Sequence, residues 1–147
     1  MTQKPLKRHS SLIPISQKHH DILVLAQLIS SKMPVYKGKP SSFEERKQYA
    51  LSFYTGHLKS YFKNEQFKVF SYFSGHDSEI DKLIQEISAE QEKIIQLFEQ
   101  LSENENASEV MNQISTLLIH NIRLQERKLF QLIQQRFSDQ HLSDFKP

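Results

Sequence analysis

The chain has 147 residues, 37% hydrophobic and 24% charged, a size suited to one domain with a core of its own. It holds no cysteine, which excludes disulfides, thiolate metal sites and cysteine nucleophiles and leaves His, carboxylate, Tyr and amide as the available metal donors. The 19 Lys and Arg against 17 Asp and Glu give a net charge of +2, too little to imply nucleic-acid binding. Apolar runs such as Ile22 to Leu25 fall far short of the roughly 20 residues of a membrane span, and the basic start lacks an apolar signal-peptide centre. A cytoplasmic protein is expected.

The prolines stand at 5, 14, 34, 40 and 147, and between 41 and 146 the only glycines are Gly56 and Gly75, a composition that predicts long helices. The first predicted helix covers about 16–31, after Pro14, with Ile15, His19, Ile22, Ala26 and Ile29 at helical spacing. The linker MPVYKGKPSS at 33–42 leads to a second, at about 42–70. There Ser42 and Glu45 match a capping box, and Ala50, Phe53, Tyr54, His57, Tyr61 and Glu65 form the expected inner line. A turn around Gly75 precedes the third, at about 77–101, whose stripe is Ile80, Ile84, Ile87, Gln91, Ile94, Phe98 and Leu101. SENENAS at 102–108 introduces the fourth, at about 107–137. It begins after Asn106 with Glu109 at the capping-box position, and its stripe is Met111, Ile114, Leu118, Asn121, Gln125 and Leu132.

Nothing reads as a strand, and 138–147 has little periodicity, so a loose tail is expected. Four amphipathic stripes with short connections predict a single all-α domain over 1–147, an antiparallel up-down four-helix bundle. Charge is uneven: residues 1–40 carry seven basic groups and one acidic, whereas 76–107 carry two basic and nine acidic. The two surfaces are either solvated faces that complement one another within the bundle or a docking polarity toward a protein partner or a second copy.

Every predicted helix puts a polar residue on its apolar stripe: His19 on the first, Tyr61 and Glu65 on the second, Gln91 on the third, Asn121 and Gln125 on the fourth. Gln91 lies 11 residues before Ser102 and Asn121 lies 13 after Ser108. Counted from their shared loop, the two differ in height by about 3 Å. The spacing therefore predicts one buried polar layer. Carboxylates and imidazoles converging inside a helical bundle are the usual makings of a di-iron site.

At this layer the sequence resembles the hemerythrin-like family, in its HHE cation-binding branch. RHSSLIPISQKHHDILVLAQL at 8–28, HLKSYFKNEQFKVF at 57–70, AEQEKIIQLFEQL at 89–101 and IRLQERKLFQLI at 122–133 resemble its four helices in order, covering most of 8–135. The resemblance implies iron bound by His and carboxylate ligands, with His19 matching the first-helix His and His20 the adjacent alternative. The family's H-x-x-x-E on the second helix reads Tyr61 and Glu65 here, its third-helix Glu-His reads Glu90 and Gln91, and its fourth-helix His, three residues, Glu, Glu reads Asn121, Gln125 and Glu126. His19 and Glu65 are thus the matching metal ligands, while Tyr61, Gln91, Asn121 and Gln125 stand in ligand positions. Neutral amides are poor ligands for two Fe²⁺ ions, but they can satisfy one another, Tyr61, His19 and Glu65 by hydrogen bonding.

Several residues admit two roles. His57, one turn before Tyr61, is a further ligand or a packing group. His120 is a replacement ligand for Asn121, or is swung away by the 100° that separates neighbours on a helix. Glu126 is a ligand or the surface partner of Arg123 or Arg127, and His9 is a cover for the site or an ordered leader residue. Tyr61 is a ferric-iron phenolate or a neutral phenol bonded to Glu65 or Gln91. His76 and His141 read as solvated, and Phe62, Phe67, Phe70 and Phe73 as core. No nucleophile–base pair, phosphate loop or nucleotide motif occurs, so no enzyme activity is expected. The resulting expectation is a bundle whose di-iron site has degenerated, without a cofactor, in a regulatory, binding or structural role. The alternative is an iron-binding or oxygen-responsive protein with a non-standard ligand set.

Overall fold

A computed structural model describes residues 7–30, 38, 40, 42–103 and 107–147. Most of the linker at 33–42 and the cap expected at Asn106 lie outside the described residues. Among those described, the structure is helical and contains no strand. None of its helices is long and apolar enough to cross a membrane.

Helix α1, Ile13–Leu28, starts three residues before the predicted position. Pro14 lies in its first turn, where a missing N–H breaks no helical hydrogen bond. A 3₁₀ turn, Ser10–Leu12, leads into it, and the His9 ring accepts a hydrogen bond from the Ser11 N–H there. Helix α2, 43–73, is continuous but not uniform. Phe43–Phe53 and Phe67–Phe73 are α-helical, while Tyr54–Leu58 and Tyr61–Gln66 are π-helical. Ser42 caps it as expected, accepting from Glu45 N–H at 3.1 Å and donating to the Glu45 carboxylate at 3.0 Å.

Gly75 turns the chain at φ +86°, a conformation that favours glycine, and α3 follows as Ser78–Leu101. Its cap, Asp77, accepts from Ile80 N–H at 3.0 Å and from Arg136 at 2.7 and 2.8 Å. The Ile80 N–H first, and then Arg136, hold the Asp77 carboxyl below its ordinary pKa. Helix α4, 107–136, repeats the pattern of α2: Ala107–Leu124, a π stretch at Gln125–Leu129, then Phe130–Arg136.

In a π turn the backbone bond runs i→i+5, so the residue stacked over position i is the fifth along rather than the fourth. This corrects the inner line predicted for α2. Ala50, Tyr54, Leu58, Tyr61, Gln66, Val69 and Phe73 are buried, whereas Phe53 and Glu65 are half-buried and His57 is exposed. From the end of the π stretch of α4 onward the buried residues of the helix are Leu129, Phe130 and Ile133, and Leu132 is only half-buried. Helix α3 has no π turn, and every residue of its predicted stripe is buried.

Helix α4 packs most extensively on α1 and α3, and α2 touches all three. Helices α1 and α2 are antiparallel. His19, early in α1, meets Tyr61, and Arg46, early in α2, donates to the Ser30 carbonyl past the end of α1. The tail expected to be loose is instead a short helix, α5, Asp139–Asp144, capped by Ser138. Leu142 and Phe145 are buried there, Phe145 lying 5.5 Å from the Phe73 ring, and the Tyr72 hydroxyl donates to the His141 carbonyl at 2.6 Å. Burying two such side chains contributes about 1.5–3 kcal/mol each, enough to dock a segment too short to be helical alone.

Candidate functional site

The middle of the core is polar. Gln66, Gln91, Asn121 and Gln125 are all buried, and their side chains form a connected chain. Gln91 Nε2 donates to Gln66 Oε1 at 2.8 Å and, less closely, to Asn121 Oδ1 at 3.4 Å. Gln125 Nε2 donates to the same Asn121 oxygen at 3.0 Å, and Asn121 Nδ2 donates to the Ile87 carbonyl at 3.1 Å. Three helices, α2, α3 and α4, are therefore linked at one level, and Asn121 is the hub. The Gln91–Asn121 contact bears out the height deduced from loop spacing.

The second part of the site joins α1 to α4. His19, 1% exposed, donates from Nδ1 to Glu126 Oε2 at 2.6 Å. Ser16 donates to both Glu126 oxygens, at 2.9 and 3.0 Å, and Arg8 lies 3.3 Å from Oε1 while bonding the Glu126 backbone carbonyl at 2.8 Å. Burial raises the Glu126 pKa, but the His19 hydrogen bond and charge, the Ser16 bond and the Arg8 charge together outweigh it and hold the carboxyl below its ordinary value. An ionised carboxylate only accepts, which fixes the His19 proton on Nδ1. The imidazole stacks on Phe130 at 5.7 Å, and the Arg8 guanidinium lies over that ring, 5.1 Å from its centroid. Glu126 thus pairs inward with His19 and Arg8, correcting the surface pairing expected with Arg123 or Arg127.

Four buried atoms at this level have no hydrogen-bond partner among the described residues: His19 Nε2, the Tyr61 hydroxyl, Gln66 Nε2 and Gln125 Oε1. The His19 and Tyr61 rings meet edge to face at 6.0 Å. Tyr61 makes no hydrogen bond to Glu65 or Gln91, as had been expected of a neutral phenol. Burial above all, and then the charges of Glu65 and Glu126, push its pKa up, so the phenol is neutral at physiological pH and the phenolate reading is not supported.

The other candidates lie elsewhere. Glu65 is half-buried in a groove between α1 and α2 and bonds neither His19 nor the amides, because the π turn brings Gln66 inward in its place. His57 is exposed in the same groove and packs on Phe53 at 5.5 Å, and His20 is exposed there too. His120 points outward and pairs with Glu90 at 2.7 Å, as the 100° step requires. His9 bonds Asp139 at 2.9 Å, tying the leader to α5. His76 is exposed, as expected, whereas His141 is half-buried; their rings lie 5.4 Å apart and both stand against Phe137. Sequence reasoning missed Gln66, Ser16 and Arg8. It also missed Ser115, whose buried hydroxyl donates to the Ala26 carbonyl at 2.6 Å and so joins α4 to α1.

Among the described residues no three His, Cys, Asp or Glu side chains come together where they could hold a metal ion. A di-iron group needs several imidazoles and carboxylates, and this level offers one buried imidazole beside amides that are bonded to one another. The residues present do not fit that group. No family model, curated protein or solved structure matches the chain.

Proposed function

We propose that this chain is a hemerythrin-like antiparallel four-helix bundle in which buried amides occupy the level where relatives bind iron, and that it works without catalysis as a regulatory, binding or structural protein of the cytoplasm. The observation that carries the reading is the hydrogen-bonded chain Gln66–Gln91–Asn121–Gln125. A core selected only for packing would hold apolar residues there, and one selected for iron would hold imidazoles and acids. The opposed charges of residues 1–40 and 76–107 support action through a partner or a second copy. Metal analysis of protein produced in iron-supplemented medium and dialysed tests the proposal. Iron well below one per chain is expected, and a retained pair of irons would overturn it.

A second reading, an iron-binding or redox-responsive protein with an unusual ligand set, draws on one feature. Glu126 holds the His19 ring through Nδ1 and leaves Nε2 buried without a partner among the described residues, with the Tyr61 ring edge to face at 6.0 Å. Carboxylate-oriented imidazoles of this kind are common among metal-binding histidines. It requires iron at about one per chain that His19→Ala abolishes, and the same metal analysis separates the two readings.

A further inference from the structure

The groove between α1 and α2 encloses about 550 Å³, a volume typical of small-molecule sites. Its α2 wall is a row of rings: Tyr49, Phe53, His57 and Tyr61 follow at four-residue spacing and all line it. Gly56 lines the same wall, and an added Cβ there would meet nothing within 4 Å. Because the two helices are antiparallel, the groove is polarised. Lys18, Asp21, Glu65 and Tyr61 share one end, and Val24, Tyr49 and Phe53 the other.

The polar end is charged and unsatisfied. Neither Asp21 nor Glu65 has a hydrogen-bond or ion-pair partner among the described residues. Tyr61 is only 5% exposed, and its buried hydroxyl is likewise unpartnered. The same burial and nearby carboxylates that raise its pKa keep it a neutral phenol, in a negative potential.

We propose that this groove binds a small organic amine carrying an aromatic body, its ammonium held by Asp21 and Glu65 and its body laid against Tyr49, Phe53 and Val24. Two free carboxylates against the single Lys18 favour a cation over an anion, and so do the negative faces of the rings. An ammonium donates three hydrogen bonds, and the two unpartnered carboxylates of the polar end supply acceptors for them. The inference concerns an outer groove and stands whether or not the amide layer ever binds iron.

Calorimetric titration of the full chain with 2-phenylethylamine tests it, with 3-phenylpropionate (same body, acidic head) and ethylamine (head alone) as comparators. Saturable binding of 2-phenylethylamine is expected, with each comparator weaker by about tenfold or more. The double substitution Asp21→Asn, Glu65→Gln should weaken it by about tenfold or more. So should Gly56→Leu, whose Cβ enters open space at the groove wall and whose side chain narrows the groove; an unfolding midpoint that does not fall shows that this variant is folded. Absence of saturable binding by the folded chain, equal affinity for 3-phenylpropionate, or unchanged binding by folded Gly56→Leu would each overturn the proposal.

Discussion

Replacing Asn121 by leucine tests whether the amide chain behaves as one unit. Asn121 is fully buried and makes two good hydrogen bonds, from Gln125 Nε2 at 3.0 Å and to the Ile87 carbonyl at 3.1 Å, with a longer contact to Gln91 at 3.4 Å. Gln91 keeps its bond to Gln66, so its loss is small. Gln125 is the casualty. Its Oε1 is already unpartnered, and without Asn121 its whole amide is buried with no partner, which costs about 1–3 kcal/mol. Adding about 0.5–1.5 kcal/mol for the bond to Ile87 and subtracting about 1.5–3 kcal/mol for the burial gained by leucine leaves a destabilisation of about 1 kcal/mol. For a chain of this size that lowers Tm by about 2–4 °C.

The companion variant replaces the whole chain at once: Gln66→Leu, Gln91→Leu, Asn121→Leu and Gln125→Leu. Removing both partners of a buried bond leaves nothing unsatisfied, so the fourfold variant should recover the stability of the parent or exceed it. Urea unfolding with unchanged m-values measures both. If Asn121→Leu falls within about 0.5 kcal/mol of the parent, or if the fourfold loss equals the sum of the four single losses, the amides do not act as a mutually satisfied unit.

Glu126→Gln removes the charge that His19, Ser16 and Arg8 converge on, and urea unfolding at pH 7 should show a loss of about 1.5–3 kcal/mol. The Glu126 pKa is lowered in the folded state, so its stabilisation is complete above the ordinary carboxyl value and is lost as pH falls through the folded value. The gap between parent and variant should therefore narrow in acid, and a gap independent of pH would contradict the ion pair. Ending the chain before Ser138 deletes Leu142 and Phe145 and uncovers Phe73, so thermal unfolding should report a loss of about 3–5 kcal/mol. A truncated chain of undiminished stability would show that α5 is not docked. Gly56→Ala, at an exposed helical position with open space at Cβ, should stabilise by about 0.5–1 kcal/mol in the same assay.

Legibility in the sequence followed the regularity of the backbone. Helix α3 keeps one period throughout, and its stripe from Ile80 to Leu101 was readable residue by residue. In α2 and α4 the same reasoning slipped by one position at the π turns, exchanging His57 for Leu58, Glu65 for Gln66 and Leu132 for Ile133. No local signal in YFKNEQ or QERKL announces a π turn, since tertiary packing selects it. The polar layer itself was visible because Gln91 and Asn121 interrupt apolar stripes at matched heights. The grip on Glu126 was not, because Arg8 and Ser16 reach it from more than 100 residues away. For α5, Ser138 was a readable cap, but a helix of six residues is too short to show a period.

The π turns and the amides meet at one level: Tyr61–Gln66 ends in one member of the chain and Gln125–Leu129 begins with another. Each departure from α geometry weakens backbone bonding, and each buried amide costs desolvation, so leucines on straight helices would pack with less expense. What apolar side chains lack is direction. A leucine layer tolerates a helix sliding or turning against its neighbours, whereas Asn121 can bond Ile87, Gln91 and Gln125 together only in one register. The fourfold leucine variant should therefore keep its stability and far-ultraviolet circular dichroism while losing near-ultraviolet signal and binding more of a hydrophobic dye such as ANS. If it instead gives a sharp native spectrum with no added dye binding, register is set by the apolar residues alone, and the amide layer must be explained by what it binds.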